Sequence, residues 1–163
     1  EKGGLLEGIQ LWVNLPKAFK MTAPRYQTLV DAEIPAVELD GGAGRLRVIA
    51  GEFRGVKGPA KTFSPVHLYD LRLAAGHRTE LALPEGFNSS VFVLHGQVVV
   101  NGSRTVNEVE IALLGQRGER VVLEAKQDAT ILVLSGEPIA EPIARYGPFV
   151  MNTRDEIIQA VQD

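Results

Sequence analysis

The sequence predicts an all-β protein, organised as a sandwich or a barrel of short strands. Eight short apolar segments rich in β-branched residues are separated by turns of glycine, proline and asparagine, which is the pattern of such folds. Only one segment, close to the C-terminus, has the spacing of an amphipathic helix. With 163 residues, 45% of them hydrophobic, the chain has the material for one sizeable core.

The first predicted elements precede the main run of strands. Residues 8–16 alternate Ile, Leu, Val and Leu with Gln, Trp and Asn, and this period of two predicts a strand with one buried face. Residues 26–30 predict a second, short strand. The glycine-rich stretch at residues 41–44 is the best linker candidate in the chain. We therefore expect a domain boundary near residues 33–44.

The eight strands of the main run follow this linker. Two of their connections contain tight turns, at His95-Gly96 and Asn101-Gly102, because glycine takes the positive φ that hairpin turns require. The predicted strands cover residues 46–50, 66–73, 80–83, 91–94, 97–100, 108–114, 120–125 and 130–134.

A helix is predicted at the C-terminal end. Thr153 and Glu156 form a capping-box pattern, and Ile157, Ile158 and Val161 then fall on one helical face. The helix reaches the last residue without a glycine or proline to end it, and the chain begins with Glu rather than Met. We therefore expect that both ends are cut and that a structural unit precedes residue 1.

Composition excludes several classes of function. The chain has no cysteine, which excludes disulfides, thiolate metal sites and a cysteine nucleophile. Seventeen basic against 20 acidic residues give a net charge of −3, and no basic stripe is present, so direct binding of nucleic acid is not expected. No apolar run approaches the roughly 20 residues of a membrane span. A cytoplasmic protein without membrane contact is expected.

Candidate chemistry is sparse. No phosphate-binding loop, nucleophile elbow or zinc-binding helix motif is present, and the chain has three histidines. His67 and Tyr69 share one face of a predicted strand, where they could line a small cavity. The alternative is a partly buried imidazole that hydrogen-bonds to backbone or to the tyrosine hydroxyl, which is favoured because no second ligand lies nearby. His77 and His95 fall in turns and are expected to face solvent.

Three segments carry a resemblance to a known family. These are residues 8–16 (GIQLWVNLP), residues 24–27 (PRYQ) and, most specifically, residues 136–153, which run from GEP through EP to YGPFVMNT. The chain resembles the pirin family over nearly its whole length. Pirins are bicupins, with two β-barrels in tandem. The resemblance implies that residues 1–38 are the C-terminal remnant of a first cupin barrel plus linker, and that residues 39–163 are the second cupin, a double-stranded β-helix barrel, with a C-terminal helix.

The resemblance also implies where the metal lies. Pirins hold one iron in the N-terminal cupin through three histidines and a glutamate, all upstream of the segment that residues 8–16 resemble, so iron is expected in the missing N-terminal cupin. In the second barrel, the general cupin pattern anchored on Gly76, Gly96 and Gly118 places its ligand positions at Ala82, Pro84, Ser89 and Ala129. None is a competent iron ligand at its position. The second barrel is therefore expected to be metal-free, and no catalytic, cofactor-binding or metal residue is predicted in this chain.

The resemblance leaves alternative functions for the intact protein. One is an iron-dependent quercetin 2,3-dioxygenase acting on a flavonol-type small molecule, with this chain as scaffold. Another is a non-catalytic, metal- and redox-responsive regulator that binds a protein partner. A third is that the isolated chain is a stable fragment without activity. The partner expected first is the missing N-terminal cupin half, and without it the apolar strand at residues 8–16 predicts a dimeric or domain-swapped fragment.

Overall fold

The computed structural model describes residues 3–4 and 7–163 and divides them into two compact units. We call Ala23–Ile139 the barrel unit, and the two terminal segments, Glu1–Thr22 with Ala140–Asp163, the terminal unit. The predicted boundary between residues 38 and 39 stays a prediction. The terminal unit contains both ends of the chain, so the two units are not separated at a single position in the sequence.

The barrel unit is built from short antiparallel strands. Most of the longer strands alternate buried residues with more exposed ones, as half-buried strands do. Twelve are described: β1 (Ala36–Glu38), β2 (Gly44–Ala50), β3 (Glu52–Phe53), β4 (Val56–Lys57), β5 (Val66–Leu73), β6 (Arg78–Ala82), β7 (Asn88–His95), β8 (Val98–Val100), β9 (Arg104–Val106), β10 (Glu110–Leu113), β11 (Arg120–Ala125) and β12 (Ala129–Gly136).

Two sheets enclose the core of the barrel unit. One has six strands in the order β1-β2-β5-β12-β7-β10, and the other has four in the order β6-β11-β8-β9. Strands β3 and β4 form a separate hairpin. Inward-facing side chains of both sheets form one buried cluster, whose largest fully buried members are Tyr69, Leu46, Leu71, Leu73, Leu81, Leu123 and Ile131. The predicted all-β fold is therefore confirmed, and two strands, β5 and β11, have the predicted bounds.

The terminal unit contains a hairpin and a helix. Strands β13 (Ala144–Tyr146) and β14 (Phe149–Met151) pair antiparallel, and helix α1 follows (Arg154–Gln162). The Thr153 hydroxyl accepts a hydrogen bond from the backbone N–H of Glu156, and the Glu156 carboxylate reaches back to the backbone N–H of Thr153. The predicted capping box and helix are confirmed. Such a cap stabilises a helix by about 1 kcal/mol.

Two predicted strands are wrong. Residues 8–16 and 26–30 adopt no regular strand. A period of two identifies a segment able to form a strand, but a strand exists only where a neighbour pairs with its backbone. No described strand pairs with either segment. Six short strands were not predicted, β1, β3, β4, β9, β13 and β14, because elements of two or three residues are too short to show a period.

Within residues 3–4 and 7–163, no helix combines the length and the apolar character that a membrane span needs.

Candidate functional site

Polar side chains meet on the inner face of the six-stranded sheet, at one end of β5, β12 and β7. His67 lies opposite Ser135, and Ser135 lies opposite Ser89. The next inward-facing residues along β5 are Tyr69 and Leu71, both fully buried. The two serine hydroxyls are 2.8 Å apart, and Ser135 is buried. An apolar barrel interior therefore ends in a row of polar groups, which we call the polar end.

His67 and Tyr69 form a hydrogen-bond chain that ends on the backbone. The Tyr69 hydroxyl donates to the carbonyl oxygen of Glu52 over 2.6 Å, and His67 Nδ1 lies 2.7 Å from the same hydroxyl oxygen. A carbonyl oxygen only accepts, so it takes the single hydroxyl proton. Nδ1 must then carry a proton and donate to the tyrosine oxygen, which leaves a lone pair on Nε2 of the neutral ring. The favoured interpretation of His67, an imidazole bound to the tyrosine hydroxyl, agrees with this geometry.

Gly51 leaves the space that the His67–Tyr69 hydrogen-bond chain occupies. Gly51 has φ +79°, and a Cβ atom there would lie 2.5 Å from His67 Nδ1. Any larger residue would therefore be strained and would displace the imidazole. The following hairpin places buried Phe53 beside Tyr69, with ring centroids 5.8 Å apart. One aromatic contact and one hydrogen bond thus join the β3–β4 hairpin to Tyr69 of β5.

Burial sets the ionisation of both side chains. Desolvation lowers the pKa of His67 below its ordinary value of 6.5, while the backbone carbonyl and the charge of Glu52 act in the opposite direction. Desolvation, with the negative charge of Glu52, raises the pKa of Tyr69 to about 12. At neutral pH both groups are therefore uncharged, and the hydrogen-bond chain consists of neutral donors and acceptors.

Acidification is expected to destabilise the barrel unit through His67. Because the folded protein binds the His67 proton less readily than the unfolded chain, the unfolded state takes up more protons as the pH falls below 6.5. The stability associated with the neutral imidazole is present above pH 6.5 and is lost as the pH falls through the folded pKa. Between about pH 7.5 and about pH 5.5, the melting temperature of the wild type should fall further than that of His67→Gln.

The matched control for this measurement is His77→Gln. This variant retains His67, so its melting temperature should fall with pH as that of the wild type does. If the NMR signal of His67 titrates with a pKa above 6.5, the lowered pKa of this residue is contradicted.

The positions aligned with cupin metal ligands do not fit iron. Ala82 and Pro84 are exposed, and the inward-facing pair on this part of the chain is Leu81 and Leu83. The general cupin pattern thus placed two of its ligand positions, Ala82 and Pro84, one residue away from the positions that face the barrel interior. Neither these two side chains nor those of Leu81 and Leu83 can bind a metal. Ser89 binds the Ser135 hydroxyl. The fourth position, Ala129, is part of the apolar core.

A small cavity adjoins this region. It has a volume of about 80 Å³, and its lining includes Pro84, Phe87 and Ser89. The Phe87 ring also lies 6.0 Å from the His67 ring. Throughout the described part of the chain, no group of three or more His, Cys, Asp or Glu side chains is placed to hold a metal ion.

The remaining histidines lie elsewhere. His77 follows Gly76 in a turn and is half-buried, while the exposed His95 has Nδ1 3.6 Å from a carboxylate oxygen of Glu108. The Ser89–Ser135 pair was not predicted, because both residues lie just outside the predicted strands 91–94 and 130–134. Glu52 was not predicted either, because it contributes its backbone carbonyl to the site, a group that every residue carries.

The two antiparallel sheets of the barrel unit, which close around one apolar cluster, define a protein of the cupin class. Residues 68–163 match the model of the pirin C-terminal cupin domain, so the chain belongs to the pirin family.

Individual relatives agree with this membership. A Pseudomonas aeruginosa protein provisionally named a quercetin 2,3-dioxygenase is 53% identical over 99% of this chain and 56% of its own length. Mouse pirin is 38% identical over 96% of this chain and 54% of its own. A crystal structure of quercetin 2,3-dioxygenase from Acinetobacter baumannii is 45% identical, with a TM-score of 0.90, and the match covers 93% of this chain and 53% of that one. The chain thus spans just over half the length of these relatives.

Proposed function

We propose that these residues are the C-terminal, metal-free part of a pirin-type bicupin whose intact form is an iron-dependent dioxygenase of the quercetin 2,3-dioxygenase type. In this proposal the chain supplies scaffold, the iron belongs to a preceding cupin barrel, and the protein works in the cytoplasm. The proposal is carried by the residues at the cupin ligand positions, Ala82, Pro84, Ser89 and Ala129. None of them is a competent iron ligand at its position. The proposal is supported by relatives whose names include quercetin 2,3-dioxygenase.

Ligand chemistry supports the proposed scaffold role. An iron centre that activates dioxygen needs several nitrogen or carboxylate ligands and open coordination positions. Alanine and proline side chains at positions 82, 84 and 129 have no lone pair to offer. The hydroxyl of Ser89 is bound to Ser135. His67 has one lone pair, on Nε2, and a single imidazole does not make an iron site.

Elemental analysis and flavonol turnover test this proposal. The protein extended by its N-terminal cupin should contain stoichiometric iron and should consume quercetin with dioxygen, whereas residues 1–163 should do neither. Stoichiometric iron or turnover in residues 1–163 alone would overturn the proposal. If the extended protein contains iron but does not turn over quercetin, the proposed dioxygenase activity is contradicted. That result would favour the alternative of a metal-responsive regulator that binds a protein partner.

A further inference from the structure

The cavity beside the polar end is small and has polar walls. Its volume of about 80 Å³ corresponds to roughly two to three water molecules of the liquid. That is well below the volume of about 300 Å³ or more at which sites for drug-sized ligands begin. Ser89, Gln116 and Arg117 are among the residues that line it. An apolar ligand would leave such groups without partners, so the cavity suits a ligand of a few atoms that is itself polar.

Hydrogen bonds fix the walls of this cavity. They join the loop at residues 114–119 to the segment at residues 83–89. Four are donated by backbone N–H groups: Leu114 to the Ser89 carbonyl, Leu83 to the Glu119 carbonyl, Gly86 to the Gln116 carbonyl and Gly118 to the Glu85 carboxylate. The side-chain amide of Gln116 also donates to the side chain of Asn88. Because the walls are held before a ligand arrives, binding needs little ordering of the protein.

The polar end presents one free hydrogen-bond acceptor. Nδ1 of His67 bonds to the Tyr69 hydroxyl, so the lone pair of the neutral ring is on Nε2. Among the described residues, the buried side-chain polar atoms without a partner are Arg47 Nε and Asn152 Oδ1. Nε2 of His67 is not one of them, although no described residue donates a hydrogen bond to it. This nitrogen is therefore accessible to a ligand.

The serine pair presents one free hydrogen-bond donor. The hydroxyls of Ser89 and Ser135 are 2.8 Å apart, so one of them donates to the other. Their hydrogen bond uses one of two hydroxyl protons. Ser135 is buried, whereas Ser89 lines the cavity. When Ser135 donates to Ser89, the Ser89 proton is left for a ligand in the cavity.

Two arginines give the cavity its charge. Arg117 and Arg120 are the charged residues that line it. Arg120 lies 3.3 Å from a carboxylate oxygen of Glu80, while Arg117 forms no ion pair with the residues that the structure describes. A guanidinium binds a carboxylate through two parallel hydrogen bonds. The free guanidinium of Arg117 therefore favours a ligand with one anionic group.

The acceptor, the donor and the guanidinium are neighbours. Phe87 lines the cavity, and its ring centroid lies 6.0 Å from that of His67. Ser89 lines the cavity as well, and its partner Ser135 lies opposite His67 in the sheet. A ligand in the cavity thus meets groups that complement both a hydroxyl and a carboxylate.

We propose that the polar end and its cavity bind a small hydroxycarboxylate of the size of glycolate or lactate. The carboxylate lies at Arg117. The hydroxyl donates its proton to Nε2 of His67 and accepts the proton of Ser89. One free guanidinium matches the single charge of a carboxylate better than the double charge of phosphate. This site goes beyond the scaffold role proposed above, because it gives the second barrel a ligand of its own.

Binding of small probes to the intact protein tests the proposal. Glycolate, lactate and glycerate are titrated while the nitrogen chemical shift of His67 Nε2 and the melting temperature are measured. At least one of them should give a saturable shift and a higher melting temperature. Propionate lacks the hydroxyl of lactate and propane-1,2-diol lacks its charge, so each should bind roughly tenfold or more weakly than lactate. The proposal is overturned if no hydroxycarboxylate gives a saturable shift, if propionate binds as well as lactate, or if inorganic phosphate binds more tightly.

Substitution of the arginine locates the carboxylate. Arg117→Gln should weaken lactate binding roughly tenfold or more, because the charged partner of the carboxylate is lost. The matched control is Arg78→Gln, since Arg78 is also exposed but lies at the end of β6 remote from Pro84 and the cavity. This control should retain the wild-type affinity. Equal affinities of the two variants would show that lactate binds elsewhere.

Removal of iron separates this proposal from the proposed function. The hydroxycarboxylate site lies within the barrel unit and uses no metal, so the affinity for lactate should be the same before and after treatment with a chelator. Loss of lactate binding after this treatment would overturn the proposal, because the probe would then be bound at the metal. An intact protein without iron would contradict the proposed function, while its lactate affinity would still decide this proposal.

Discussion

Replacing Tyr69 by Ala is expected to lower the free energy of unfolding by about 3–5 kcal/mol, as measured by urea denaturation. Tyr69 is fully buried and its ring packs beside Phe53. The substitution removes this packing and leaves a cavity. It also leaves the carbonyl of Glu52 and Nδ1 of His67 without their hydrogen-bond partner.

Replacing Tyr69 by Phe separates the two contributions. This variant keeps the ring and loses only the hydroxyl, so its cost should be about 1–3 kcal/mol, the range for a buried polar group that loses its partner. The His67 signal should also change its titration midpoint, because the hydroxyl that accepts from Nδ1 is gone. A Phe variant as damaged as the Ala variant would contradict this account, since the hydroxyl alone would then carry the stability.

Long periodic elements were predictable from the sequence. Strands β5 and β11 bury an apolar residue at every second position over most of their length, and α1 combines a capping box with a helical face. Local pattern determines these elements because each one buries a single face. Residues 8–16 have an equally clear alternation and no strand. A strand forms only when a second strand pairs with its backbone, and the sequence of a segment does not show whether such a partner is present.

The polar end could be predicted only in part. The shared face of His67 and Tyr69 follows from the period of β5, and their contact was one of the alternatives considered. Their acceptor, the Glu52 carbonyl, lies 17 residues away in the chain and has no side-chain signature. The Ser89–Ser135 pair joins residues 46 positions apart, and such a contact depends on sheet order, which local patterns do not specify.

The second large effect is expected at Gly96. Its φ is +83°, and a Cβ atom there would lie 2.3 Å from the carbonyl oxygen of Asp128. This oxygen belongs to the backbone just before β12, so it cannot move aside without disturbing the strand. Gly96→Ala therefore adds a steric clash to the strain of a left-handed conformation.

Gly86 provides the matched control for Gly96, because it has the same φ of +83° with no atom within 4 Å of its hypothetical Cβ. Gly86→Ala should cost about 1–2 kcal/mol, the strain of the backbone alone. Gly96→Ala should cost at least about 2 kcal/mol more, in the range of an overpacked core site, when both are compared by urea denaturation. Equal losses in the two variants would contradict the argument, because they would show that the approach of β12 to this turn relaxes freely. A larger loss at Gly96 would instead show that the turn after β7 fixes the position where β12 begins.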